Sequence, residues 1–187
     1  MKYKTILADP PWQMEFVKRD VRPNQVQMPY PTMPLRDICN LGIELRPYLD
    51  DDCNLFLWTT HKWLPAAFQV MEKWGFRYHC LITWNKLGGL TLFGFNRRTE
   101  FALYGYRGKI SVTKTGDSFP TVFEERATIH SAKPQRMYEL IEAKTPSPRL
   151  ELFARRKRLG WDVWGNEVDS DVDLKTEEPE TPPGGLL

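Results

Sequence analysis

Cysteine is scarce in this chain of 187 residues: Cys39, Cys53 and Cys80 are odd in number, widely spaced and outside any Cys-x-x-Cys pair. Such a set excludes a disulfide framework and carries no zinc signature, so reduced core thiols are expected. His61, His79 and His130 also lack the spacing of paired ligands, and no metal site is expected. Long apolar runs are missing. Nothing approaches the roughly 20 residues that span a bilayer, and the Met-Lys-Tyr-Lys start runs into a strand rather than into the apolar core of a signal peptide. These absences predict a cytoplasmic protein with no membrane partner. Net charge is low as well, at +2, too little to announce a nucleic-acid protein by itself.

That average hides unlike regions. Arg97, Arg98, Arg107, Lys109 and Lys114 stand against the single acid Glu100, and Arg155 to Arg158 is an unbroken basic run. Beyond Glu167 the balance turns acidic. Residues 169–187, dense in Asp, Glu, Pro and Gly, bury too little apolar surface to offset their ordering entropy and are expected to be a disordered tail. Residues 1–168, within a chain that is 41% hydrophobic, suffice for one domain with a core on both faces of a sheet.

Thr5-Ile6-Leu7-Ala8 reads as a buried strand that stops at Asp9 and two prolines. Residues 13–34 show no periodicity and predict a functional loop. A short helix opens at Pro34 and ends at Gly42, and a second strand covers 54–59. A helix over 64–74 follows, with Phe68, Met71 and Trp74 inward and Gly75 at its end. Strands are predicted over 76–84 and 100–106, separated by a Gly-rich loop at 87–96. A helix over 134–143 and a strand over 150–153 complete the pattern. Alternating strands and helices imply an α/β sheet, whose ligands bind beyond the carboxyl ends of its strands. Asp9 lies at such an end.

An exocyclic adenine amine is a poor nucleophile because its lone pair is delocalised into the ring. A carboxylate accepting one N–H and a main-chain carbonyl accepting the other would localise that pair, and Asp9 with the Pro10 carbonyl offers both. Pro10 and Pro11 lack N–H donors and stiffen the loop. Trp12 supplies a flat face on which a base can stack. Read alone, Asp-Pro-Pro also describes a turn that merely ends a strand, with Trp12 a core aromatic.

The ordered segments make the pattern specific. They are Ala-Asp-Pro-Pro-Trp at 8–12, Met-Pro-Tyr-Pro-Thr-Met at 28–33, Phe-Leu-Trp-Thr-Thr at 56–60, Trp-Gly-Phe at 74–76 and Trp-Asn-Lys at 84–86. Arg-Thr-Glu at 98–100, Ser-Ala-Lys-Pro at 131–134, Glu-Leu-Phe-Ala-Arg at 151–155 and Gly-Asn-Glu at 165–167 follow. Over residues 8–168 the chain resembles the adenine-N(6) methyltransferase family that includes the catalytic subunit of the messenger-RNA methylation complex and bacterial and phage relatives. The resemblance implies a Rossmann-like fold with a mostly parallel sheet flanked by helices, S-adenosylmethionine as cofactor, and a catalytic motif that precedes the cofactor motif. It places Asp9, Pro10, Pro11 and Trp12 at the reaction. It implies that Lys133 helps to hold the methionine carboxylate, with Asp9 also reaching the cofactor. Arg155, Asn166 and, more loosely, Glu167 would reach the ribose. A lysine beside a helix N-terminus suits an anion.

Tyr30 and Glu100 map to the target-base side, and the basic stretch carrying Arg97 and Arg98 is the expected backbone contact. Each also admits a plain packing or solvated role. DNA is the favoured substrate by analogy with the bacterial and phage branch, in a bacterial or phage-infected cell. RNA and a catalytically silent nucleic-acid-binding subunit are the alternatives, and a homo- or heterodimer is left open.

Overall fold

The structure, a computed structural model, describes residues 1–13, 32–92, 94–113, 116, 118–127 and 133–175, with only the backbone of 89–92. Ten elements follow one another in it: β1 (Tyr3–Ala8), α1 (Leu35–Leu45), β2 (Leu49–Thr59), α2 (Leu64–Lys73), β3 (Arg77–Leu92), β4 (Phe95–Arg107), β5 (Val122–Glu124), α3 (Gln135–Lys144), β6 (Arg149–Leu152) and β7 (Asp162–Trp164). A 3-10 turn over Arg46–Tyr48 joins α1 to β2. The seven strands form one sheet in the order β5-β3-β4-β2-β1-β6-β7, parallel except where β4 meets β2 and β3. The expected α/β architecture is the observed one. Among the described residues no helix is long and apolar enough to cross a membrane.

β1 reads as an unbroken apolar run because both its faces are covered. Ile6 and Ala8 point into a core shared with α1 and α2, whereas Leu7 joins Phe56 and Trp58 under Met137, Tyr138 and Ile141 of α3. From β1 the chain leaves through α1 towards β2, while β6 arrives on the other flank after α3. The crevice beyond the carboxyl ends of β1 and β6 is therefore a topological switch point, the standard ligand position in an open α/β sheet.

Four expectations need correction. α1 does not end at Gly42 but continues to Leu45. A Cβ there would come within 2.5 Å of Trp74, so Gly42 lets α1 and α2 approach rather than stopping a helix. Phe68 is 40% exposed, and the inner face of α2 is Ala66, Ala67, Val70 and Met71. The loop expected at 87–96 is largely hairpin, since β3 runs to Leu92 and β4 begins at Phe95. Finally, the ordered domain passes residue 168. Leu174 is buried, Val172 packs on the core, and the Tyr48 hydroxyl donates to the Asp173 carbonyl at 3.1 Å. Apolar anchors within an acidic segment outweigh its composition as far as Lys175.

Candidate active site

Asp9 follows the last residue of β1, and its amide approaches the Leu152 carbonyl of β6 at 3.5 Å. Its carboxylate, 28% exposed, meets the Lys133 ammonium at 2.9 Å. Lys133 is only 13% exposed, lies just before α3 and also reaches Glu100 of β4 at 3.4 Å. Glu100 in turn accepts from Lys86 of β3 at 3.1 Å. Four side chains of alternating sign thus cross the rim of the sheet from β1 to β3, and the Lys133 ammonium sits 5.4 Å from the Trp58 ring centroid.

Each charge in this chain depends on its neighbours. Burial pushes the Asp9 carboxyl above the ordinary range, against the pull of Lys133. Burial also works against the Lys133 charge, but Asp9 and Glu100 outweigh it and hold the ammonium protonated. For Glu100 burial would favour the neutral acid, and Lys133 and Lys86 overcome it, keeping this carboxyl ionised. Glu100, read in the sequence as a partner of the base edge or of Arg98, is paired with two lysines here. Arg97 and Arg98 are exposed on β4, on the strand that carries Glu100.

Lys133 stands next to a helix N-terminus, as expected, but the first amides of α3 are taken. Glu125 accepts from Gln135 N–H and Arg136 N–H at 3.0 Å each, so the helix end already holds an anion. An incoming carboxylate would find Lys133 rather than those amides. No local pattern announces this cap, because Glu125 stands ten residues before Gln135.

Trp12 is 8% exposed, too enclosed to offer a base an open face. Its indole N–H donates to the Trp58 carbonyl at 3.1 Å, and its ring stacks on Trp63 at 5.9 Å between centroids. It fastens the loop after Asp9 to the end of β2. The Pro10 carbonyl accepts from Trp12 N–H at 2.8 Å and Pro11 from Met33 N–H at 2.9 Å. One lone pair of Pro10 is left for a substrate N–H. Tyr30 lies outside the described residues.

The residues expected on the cofactor side lie just past two adjacent strands. Arg155 follows β6 and Asn166 and Glu167 follow β7, with Arg155 and Glu167 3.6 Å apart and both substantially exposed. A Cβ at Gly165 would fall 2.2 Å from the Ala154 carbonyl oxygen, so only glycine lets these two turns close on each other. A guanidinium, an amide and a carboxylate gathered there suit ribose hydroxyls, and Lys133 suits a carboxylate. The donor set therefore fits S-adenosylmethionine.

One buried pair was missed. Glu151 of β6 accepts from the Tyr138 hydroxyl of α3 at 2.7 Å. Burial raises its carboxyl to about 7, the tyrosine hydrogen bond opposing and the nearby Asp9 adding to the rise. Its outer neighbours are basic, but no ion pair to it forms among the described residues. An acid within an apolar strand beside the switch point was the available signal.

The family model described as MT-A70 matches residues 3–167. The type II methyltransferase M.MunI of Mycoplasma sp is 31% identical over 198 residues, covering 94% of this chain and 82% of that protein. The N(6)-adenosine-methyltransferase MT-A70-like protein of Drosophila melanogaster is 30% identical over 98% of this chain, and the human N(6)-adenosine-methyltransferase catalytic subunit METTL3 is 29% identical over 100% of it. The chain spans only 30% and 32% of the lengths of those two.

Proposed function

Because the chain belongs to the MT-A70 family of S-adenosylmethionine-dependent methyltransferases, we propose that it methylates the N(6) amino group of adenine in DNA. The observation that carries this reading is the Asp9 carboxylate, held by Lys133 at the carboxyl end of β1, on the same rim of the sheet as the β6 and β7 ends that lead into Arg155, Asn166 and Glu167. The cofactor supplies an activated methyl group when bound. The chain's own residues must then place the amine. Asp9 accepts one N–H and the free lone pair of Pro10 the other, and that pairing gives the nitrogen lone pair a direction.

Lys133 must yield part of its hold on Asp9 as the amine arrives, and Glu100, already 3.4 Å away, keeps its ammonium paired. The nitrogen gains a methyl group and loses one proton, for which Asp9 is the nearest acceptor. Burial makes Asp9 more basic than an exposed carboxylate. In-line placement of nitrogen and methyl contributes several kcal/mol, on the order of the effect of orientation in other group transfers.

DNA is favoured over RNA because this chain spans most of M.MunI, a type II methyltransferase, but about a third of the N(6)-adenosine methyltransferases. Such a protein would work in the cytoplasm of a bacterial or phage-infected cell. The test is incubation with labelled S-adenosylmethionine and matched DNA and RNA, followed by digestion. N(6)-methyladenine in the DNA is the expected product. Label in RNA alone would replace DNA with RNA as substrate, and oligonucleotide binding without any transfer would mark a silent subunit.

A further inference from the structure

Past Asn85 and Glu100 the two strands β3 and β4 leave the sheet. β3 has β5 beside it only from Thr83 to Asn85, and β4 has β2 beside it only from Phe101 to Arg107. Among the described residues the pair continues without a further strand, as a ribbon with Leu90 opposite Arg97 and Leu92 opposite Phe95. β4 runs antiparallel to β2, which is parallel to β1, so this arm projects from the rim that holds Asp9. The register slips between Asn85 and Leu90, where Leu87 takes a φ of 58°, and such a bulge bends a ribbon.

The root of the arm is fastened to the catalytic loop. His61 hydrogen-bonds Thr99 at 2.9 Å and meets the Phe101 ring edge-on at 4.8 Å. His61 shares a turn with Trp63, which stacks on Trp12. At the tip, Gly94 with a φ of 80° leads into Phe95, 73% exposed, and Asn96, Arg97 and Arg98 are exposed behind it. Phe95 is a large aromatic displayed at the tip beside exposed guanidiniums, an apolar point with positive flanks. The two guanidiniums beside it set the charge of a partner. From Leu87 to Thr99 there is no acidic residue at all.

We infer that the arm is a wedge for double-stranded DNA: Phe95 enters the base stack while Arg97 and Arg98 hold the flanking phosphates, so that the target adenine swings out to Asp9. The inference rests on the DNA reading above and adds the paired form of the substrate. An amine inside a duplex cannot meet a methyl donor, and apolar side chains inserted between base steps unstack them. A second copy of the chain is a poorer occupant, because two arms meeting about a two-fold axis bring their arginines together.

The test compares Phe95→Ala with the unmodified protein on native plasmid DNA and on the same DNA after heat denaturation. The methylation rate on native DNA falls by on the order of tenfold or more, and the rate on denatured DNA falls far less. Phe95→Leu, which keeps an apolar wedge, recovers most of the native-DNA rate. Equal losses on both forms, or no loss on either, would overturn the wedge. A change in oligomeric state by light scattering in Phe95→Ala would also overturn it, in favour of a subunit interface. If the unmodified protein methylates neither form of DNA, the DNA reading itself fails and the wedge falls with it, an outcome distinct from the others. Because Phe95 is exposed, thermal unfolding of the variant checks that its fold is intact.

Discussion

The candidate site has two halves, one proposed to accept the methyl group and one to hold its donor, and they are built differently. On the acceptor half, Asp9, Lys133, Glu100 and Lys86 form a continuous chain of ion pairs of 2.9 to 3.4 Å. On the donor half, Arg155, Asn166 and Glu167 stand on exposed strand ends, with Arg155 and Glu167 in a looser contact at 3.6 Å. The acceptor half already holds its charges in place. The donor half keeps its polar groups in water, where a ligand can collect them at little desolvation cost. The contrast between a paired half and an exposed half is open to direct attack.

The largest effect is expected from Asp9→Ala. Methyl transfer should fall by on the order of a thousandfold in single-turnover assays, while cofactor binding, followed by calorimetry, survives in part. Near-normal transfer would show that the acceptor half does no chemistry. Next, Lys133→Met leaves Asp9 and Glu100 facing one another without their shared cation. Breaking a largely buried pair in this way costs roughly 3 kcal/mol in urea unfolding, and adding Glu100→Gln should return part of that loss. Additive effects of the two substitutions would show that they do not act as one network.

Glu151 adds a pH handle between the halves. Its carboxyl is raised from 4.5 to about 7, so the folded state holds a proton that the unfolded state releases. The stability it contributes is full below the ordinary carboxyl range and is lost as pH rises through 7. Urea unfolding should therefore show a loss on the order of 2 kcal/mol between about pH 5 and pH 8. Glu151→Gln should flatten it, and an unchanged profile would assign the slope to other groups. The smallest stability effect belongs to Arg155→Ala. Exposed at 40%, Arg155 should contribute less than about 0.5 kcal/mol, yet cofactor affinity should drop by about tenfold. Strong destabilisation there would erase the distinction between the halves.

What the sequence reveals is uneven for identifiable reasons. The strand before Asp9 is legible because its apolar run is covered on both faces and stops at two prolines. The residues of the acceptor chain could be named singly, but their pairing could not, since Asp9, Glu100 and Lys133 lie on segments far apart in the chain. Trp12 was legible as an aromatic beside the acid, whereas its burial against Trp63 depends on where β2 ends. Gly42 looked like a stop because glycine closes many helices; its actual reason is the close approach of Trp74 at the end of α2. The glycines of 87–96 suggested a loop, and the ribbon they permit comes from pairing across the turn. Glu151 was hidden by its position, an acid whose partner Tyr138 belongs to a different element.

The stack of Trp12 on Trp63 has a practical consequence. Two indoles 5.9 Å apart and inclined by 15° share their electronic transitions, so the loop after Asp9 carries its own optical gauge. Trp63→Phe should remove a distinct part of the near-ultraviolet circular dichroism while leaving the far-ultraviolet spectrum intact. In the unaltered protein, the same band reports without any added label whether the loop stays seated when nucleic acid arrives.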